Sequence, residues 1–230
     1  VTQVPFGLLP YAAHSFWFGA TYYLGFEDDY DAGIHYKNEQ DGWRYDLAYF
    51  VNDEIGDGSN YDRYSFDAAT TADSPYEEAG QINARVEREF TSGEVTHKLG
   101  GSLQYSQLDF MADAATVVGE DTNGLAAAAH WQLDWKQWQL QLQYIHYDYD
   151  IDNSERIALS AFQYPFEIAA EADVATVNIA KSVDVDWGPI TNLNFYNDYS
   201  QVMASGQGLD DSIQNVTGVA ITAGKFYSYV

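Results

Sequence analysis

Leu125-Ala-Ala-Ala-Ala-His-Trp-Gln-Leu-Asp-Trp135, then Lys136-Gln137, then Trp138-Gln-Leu-Gln-Leu-Gln-Tyr144, is the stretch on which the fold turns. Leu125, Ala127, Ala129, Trp131, Leu133 and Trp135 alternate with Ala126, Ala128, His130, Gln132 and Asp134. Beyond the two-residue turn, Trp138, Leu140, Leu142 and Tyr144 alternate with Gln139, Gln141 and Gln143. Successive side chains of a strand point to opposite faces, so a period of two makes one oily face and one polar face. The stretch predicts a β-hairpin.

The same period extends outward in both directions. Tyr30 to Lys37 sets Tyr30, Ala32, Ile34 and Tyr36 against Asp31, Gly33, His35 and Lys37, and Trp43 to Phe50 returns after a turn at residues 38–42. Gln81 to Phe90 and Val95 to Leu108 pair through 91–94, and Asp173 to Val183 pairs with Ile190 to Tyr199 through Gly188 and Pro189. Val1 to Phe6 reads as the end of a strand, and Ile213 to Tyr229 as one final strand. Runs of about ten residues are what a tilted strand needs to cross a bilayer. Short turns (38–42, 91–94, 136–137, 184–189) alternate with long polar loops (51–80, 109–124, 148–172, 200–212), the asymmetry of an outer-membrane barrel. The expected fold is all-β: a transmembrane antiparallel β-barrel, here a single-domain segment of nine or ten strands of a longer, sixteen-stranded molecule. A soluble antiparallel sandwich also alternates, but its strands are usually about five or six residues long.

Composition points the same way. Ten Lys and Arg against 35 Asp and Glu leave a formal charge of −25, which excludes a protein that must neutralise nucleic-acid phosphates. The 19 Tyr, 12 Phe and 6 Trp exceed what one soluble core uses and suit the aromatic girdles of a membrane barrel. Cysteine is absent, so packing and backbone pairing must hold the fold. The chain has no apolar run long enough for a membrane helix and no basic, apolar leader, so it is expected to be an internal piece of a longer barrel.

Polar faces and one odd loop hold the candidate functional residues. Gly7 to Phe26, GLLPYAAHSFWFGATYYLGF, is too apolar for a solvated loop. It either folds into the lumen and presents Tyr11, His14 and Ser15 to solutes, or packs at the rim or a subunit contact. Asp31, His35, Lys37, Arg44, Asp46, Arg85, Glu87 and Lys98, with the glutamine ladder Gln139, Gln141 and Gln143, are the candidate lining of a water-filled pore. Any one of those charges can equally pair across strands and merely solvate the wall. Acid concentrates in the loops, at Glu27–Asp31, Asn52–Gly58, Asp148–Asp152 and Asp210–Asp211, where it would draw cations to the mouth and hold divalent ions loosely, bridging to lipopolysaccharide phosphates. No dedicated metal site or cofactor is expected. Asp148, Asp150 and Asp152 open like an EF-hand, but Asn153 stands where glycine is needed and Leu159 where glutamate is needed. The five His are scattered and no nucleophile elbow, phosphate loop or zinc helix occurs, so no enzyme is expected.

VTQVPFGLLPYAAHSFWFGATYYLGFEDDYDAGIHY (Val1 to Tyr36) and NVTGVAITAGKFYSYV (Asn215 to Val230) resemble the phosphate-selective porin-like family of Gram-negative outer-membrane proteins, the porin O and P type. The resemblance extends loosely over the chain. It implies a sixteen-stranded homotrimeric porin with a loop folded inward after the strand ending near Phe6. The family's anion specificity uses lines of lumenal Lys and Arg; this chain has no Lys or Arg between Val1 and Tyr36 and lacks such a ladder. The expected function is a passive outer-membrane diffusion channel for small polar solutes or ions, not anion-selective. Two other readings are a secreted β-sandwich binding carbohydrate and a plugged barrel serving as scaffold or adhesin.

Overall fold

The computed structural model describes residues 1–52, 64–151 and 154–230, and these are all-β. In chain order they form β1 (Thr2–Gln3), the single-turn helix α1 (Ala20–Tyr23), β2 (Tyr30–Gln40), β3 (Trp43–Asn52), β4 (Asp67–Ala68), β5 (Tyr76–Ser92), β6 (Val95–Phe110) and β7 (Thr122–Trp135). Then follow β8 (Trp138–Tyr149), β9 (Arg156–Ala161), β10 (Tyr164–Ala169), β11 (Glu171–Trp187), β12 (Ile190–Ser205), β13 (Ser212–Ala223) and β14 (Phe226–Tyr229). Eleven of them make one antiparallel sheet in the order β1-β2-β3-β5-β6-β7-β8-β11-β12-β13-β14, and β10-β9-β4 make a second, three-stranded sheet. Among the described residues the large sheet does not close on itself.

Every hairpin read from the sequence is present, with longer strands. The quoted stretch is β7 and β8, paired from Gly124↔Tyr149 to Trp135↔Trp138, with Lys136 at φ 54° in the turn. Two readings need correction. Ile213 to Tyr229 is not one strand but the hairpin β13–β14, because Gly224 takes φ 62° and reverses the chain. The stretches 51–80 and 148–172 are not wholly loop either: β4, β9 and β10 lie within them, and residues 157–161 are buried at every position, which erases the alternation a strand is recognised by.

The register lines up residues of like polarity across the sheet. One side carries rows such as Tyr49–Ile82–Tyr105–Leu125 and Tyr36–Leu47–Ala84–Leu103–Ala127. This oily side is bare: Ile34 is 77% exposed, Leu103 63% and Leu125 56%. The other side carries rows such as Asp46–Arg85–Ser102 and Gln132–Gln141–Asn178–Asp198, and it is buried. Residues 4–29 cover that polar side together with the small sheet, and Phe6, Phe26, Tyr147, Ile145, Ile157 and Leu159 meet in one core. Short turns gather at one end, where Trp43, Trp135, Trp138 and Trp187 lie beside them. There Arg88 sits 4.8 Å over Trp43, Lys136 5.0 Å over Trp135 and Lys181 4.9 Å over Trp138.

The two sides make different demands. Ile145 is fully buried, so Ile145→Ala is expected to cost about 3 kcal/mol, while Leu103→Ala on the bare side opens no cavity in a packed core and should cost less; denaturant unfolding in detergent micelles measures both.

Candidate functional site

An irregular backbone crossing the interior must find partners for its N–H and C=O groups, because an unpaired buried one costs about 1–3 kcal/mol. The polar rows supply them to residues 7–20. Gly7 N–H donates to Ser102 Oγ at 3.0 Å, and Gly7 C=O accepts from Arg85 Nε at 2.8 Å. Leu8 N–H donates to Gln143 Oε1 at 2.6 Å, Gln141 Nε2 reaches Tyr11 C=O at 3.4 Å, and Gln139 Oε1 faces His14 Nε2 at 2.7 Å. The ladder spaced i, i+2, i+4 on β8 thus grips residues 8, 11 and 14 in turn. Asn178 Nδ2 donates to Ala12 C=O, and Ala20 N–H donates to Ser200 Oγ at 2.8 Å. Gly7 has φ 58°, which favours glycine, and a Cβ there would press on the Gln143 carboxamide and displace it.

Asp198 is the strongest clasp, and the sequence reading missed it. Its Oδ2 accepts from the N–H groups of His14 and Ser15 at 2.8 and 2.7 Å, and its Oδ1 lies 2.8 Å from His14 Nδ1. Each ring nitrogen of His14 therefore faces an oxygen, Asp198 Oδ1 on one side and Gln139 Oε1 on the other. Of the residues expected to be presented to solutes, Tyr11 is exposed, whereas Ser15 is buried and His14 is engaged on both ring nitrogens.

The candidate lining residues all lie on the polar side, but not as one set. His35, Arg44, Asp46, Arg85 and Glu87 form a network beside Gly7. Asp46 takes His35 Nε2 at 2.9 Å, Arg44 Nε at 3.0 Å and Arg85 NH1 at 3.4 Å, while Glu87 Oε2 takes Arg85 NH2 at 2.5 Å and His130 Nε2 at 3.0 Å. His130 was not anticipated. It reaches Glu87 across β6 because the residue between them in the register is Gly100, where a Cβ would stand 2.6 Å from His130 Nε2. Lys98 lies outside this network, 3.8 Å from Glu89, and Lys37 is exposed near the turn. Two polar recesses stay open at the short-turn end: one of about 450 Å³ is lined by Arg44, Glu87, Glu89 and Lys98, and one of about 360 Å³ by His14, Asp134, Gln139 and Asn192.

The acidic run Glu27 to Asp31 is not the solvated loop it was expected to be: Glu27, Asp28, Asp29 and Asp31 are all buried. Glu27 accepts from Ala12 N–H at 2.8 Å and from Thr21 Oγ1, closing the segment on itself. Burial outweighs those two bonds and raises its carboxyl to about 7. Tyr64 donates to Asp28 Oδ2 at 2.7 Å. Asp31 lies apart from the other lining candidates, with Asp29 and Asp67. Of the other acidic loops, residues 53–58 and Asp152 lie outside the described residues, and Asp210 and Asp211 are exposed.

Two outcomes are expected. Asp198→Ala strands two backbone N–H groups, so it should cost about 3 kcal/mol and speed amide exchange at residues 14 and 15. Glu27 binds its proton more tightly folded, near 7, than unfolded, near 4.5, so its contribution is complete below pH 4.5 and is lost as pH rises through 7. Thermal unfolding should weaken between pH 5 and 8 by roughly 3 kcal/mol from this group, and Glu27→Gln should abolish that component.

Comparison with protein-family models, with curated proteins and with solved structures found no match for this chain, so its function has to be read from its own geometry.

Proposed function

We propose that the chain is the wall and inward loop of an outer-membrane β-barrel channel, a passive pore for small cations or neutral polar solutes narrowed by residues 4–29. The observation that carries this reading is the inversion of the sheet: its oily side is bare and its polar side is buried. A sandwich does the opposite, packing oily faces together. A wall bounded by hydrocarbon outside and polar groups inside has this arrangement, and every backbone group at that depth must be paired along a closed sheet. The closed, sixteen-stranded barrel is part of the proposal, with further strands continuing from β1 and β14. Aromatic and cationic residues at the short-turn end support an interface there.

The inner charges support weak selectivity. Arg44 and Arg85 are answered by Asp46 and Glu87, so among the described residues no cationic ladder remains to attract anions, and the net charge of −25 repels them. The oily band is interrupted on β8 and β11, where Tyr144 Oη and His146 Nδ1 meet Asp173 Oδ1 at 2.6 and 3.0 Å, and on β12–β13, where Asn197 Nδ2 donates to Asn215 and Thr217. In the proposed homotrimer this less oily stretch of wall faces the neighbouring subunit. The dense hydrogen bonding of residues 7–20 favours a second reading, a barrel plugged by its own loop.

Planar bilayers separate the two. The protein carrying this chain should give stepwise conductance with cation preference at neutral pH, rising about twofold or more in Asp198→Ala as the loop loosens. Clear anion preference sinks the selectivity, detergent dependence without conductance leaves the plugged barrel, and solubility without detergent removes both.

A further inference from the structure

Aromatic rings on the oily side of the sheet suit an interface with lipid, but one set lies bare on the polar side, where that account does not reach. Ser15 C=O accepts Phe18 N–H at 3.3 Å, closing a four-residue turn with Phe16 and Trp17 at its tip, 64% and 62% exposed. Turn tips normally use glycine, proline or small polar residues. This one is held at both ends: Asp198 takes the N–H groups of His14 and Ser15, and Gln214 Nε2 reaches the C=O groups of Trp17 and Phe18 at 3.4 Å each. Two large rings are thus fixed in place outside the core.

The tip continues into a row. Phe16 lies 5.8 Å from Trp17 and 6.0 Å from Tyr229, ring to ring, and Tyr229 lies 5.1 Å from Tyr227. Tyr227 and Tyr229, both exposed, stand opposite Thr222 and Ala220, which in turn oppose Asn192 and Asn194 on β12, so all six share the polar side. Tyr227 is also a wall of the recess of about 360 Å³ at the short-turn end, with Gln139, Ser182, Asn192 and Asn194. The charged members of that recess are answered: Asp134 accepts from the Gln132 and Gln139 amides at 2.8 and 2.7 Å, Lys136 meets Glu94 at 3.1 Å, and His14 meets Asp198. What remains for a ligand is neutral amide and hydroxyl groups.

We infer that Trp17, Phe16, Tyr229 and Tyr227 form a binding track for a neutral, linear oligosaccharide whose end is held in the recess. The inference rests on the channel reading and names a class among its neutral polar solutes. A pyranose has an apolar C–H face that packs flat on an aromatic ring, and an edge of hydroxyls that donate and accept as amides do. Rings spaced 5.1–6.0 Å apart offer successive faces to successive sugar units. An apolar solute would displace water from the recess without replacing its hydrogen bonds. An anionic chain would meet a net charge of −25. Because Asp198 and Gln214 already hold the tip, little further ordering is needed on binding.

The test uses the full protein in detergent, titrated by calorimetry and tryptophan fluorescence with maltohexaose, with cellohexaose, and with a galacturonic acid hexamer as anionic counterpart. Saturable binding of at least one neutral hexamer is expected, with half-saturation on the order of 1 mM and an affinity about tenfold or more above that for the anionic one. Phe16→Ala and Trp17→Ala should each weaken binding about tenfold, and Phe195→Ala on the oily side not at all. Trp17→Phe keeps a ring, so it should bind within about threefold of wild type while losing most of the fluorescence change. In planar bilayers the same hexamer should interrupt the current reversibly. Folded wild-type protein that binds neither neutral hexamer overturns the inference, as does binding that Phe16→Ala and Trp17→Ala leave unchanged, or equal affinity for the anionic hexamer. Conductance that neither neutral hexamer interrupts also overturns it and leaves the channel standing, whereas binding without conductance upholds the track and removes the channel.

Discussion

The structure depends on one requirement: the backbone of residues 7–20 crosses the polar side of the sheet without regular pairing, and its buried amides must still be satisfied. Ser102, Gln143, Asn178, Asp198 and Ser200 meet that requirement from β6, β8, β11 and β12. A polar face in a β-wall invites the thought of water. Here much of it solvates polypeptide instead, with side-chain oxygens and amides standing where water would otherwise bind. The segment is consequently part of the architecture, and polar recesses remain open at the short-turn end.

Charge is handled by the same logic at shorter range. Asp46 and Glu87 are each shared by two or more donors, so the guanidinium groups of Arg44 and Arg85 enter a covered environment already answered. Breaking such a set on one side leaves the rest buried and uncompensated, which costs more than the intact set contributes. Glu27 solves its burial differently. It is held by two donors within its own segment and keeps its proton up to about pH 7. The acid of this chain is therefore not simply a surface field: part of it works inside, as clasps.

Local pattern carried most of the wall. The alternation in β7 and β8 sets both faces and their register, because a one-residue slip would exchange the two. It fails where a strand is buried on both faces, as at residues 157–161, and where a two-residue turn at Gly224 and Lys225 interrupts a run that keeps its period. The polar stripes put Asp46, Arg85, Glu87 and the glutamines on one side of the sheet, and the structure has them there. They offered no signal for Asp198, His130 or Asp67, since a single acid or histidine in a polar stripe looks like every other polar residue there.

What the sequence by itself determined is therefore the all-β class, which residue faces which side, and which ends carry tight turns, all properties of spacings of a few residues. Only the tertiary structure decided that residues 4–29 lie on the polar side, that Gln139, Gln141 and Gln143 hold that segment, and that Asp67 joins Asp29 and Asp31. The physical reason is separation along the chain. Asp198 and His14 stand 184 residues apart, and such pairs meet only after every intervening strand has taken its place.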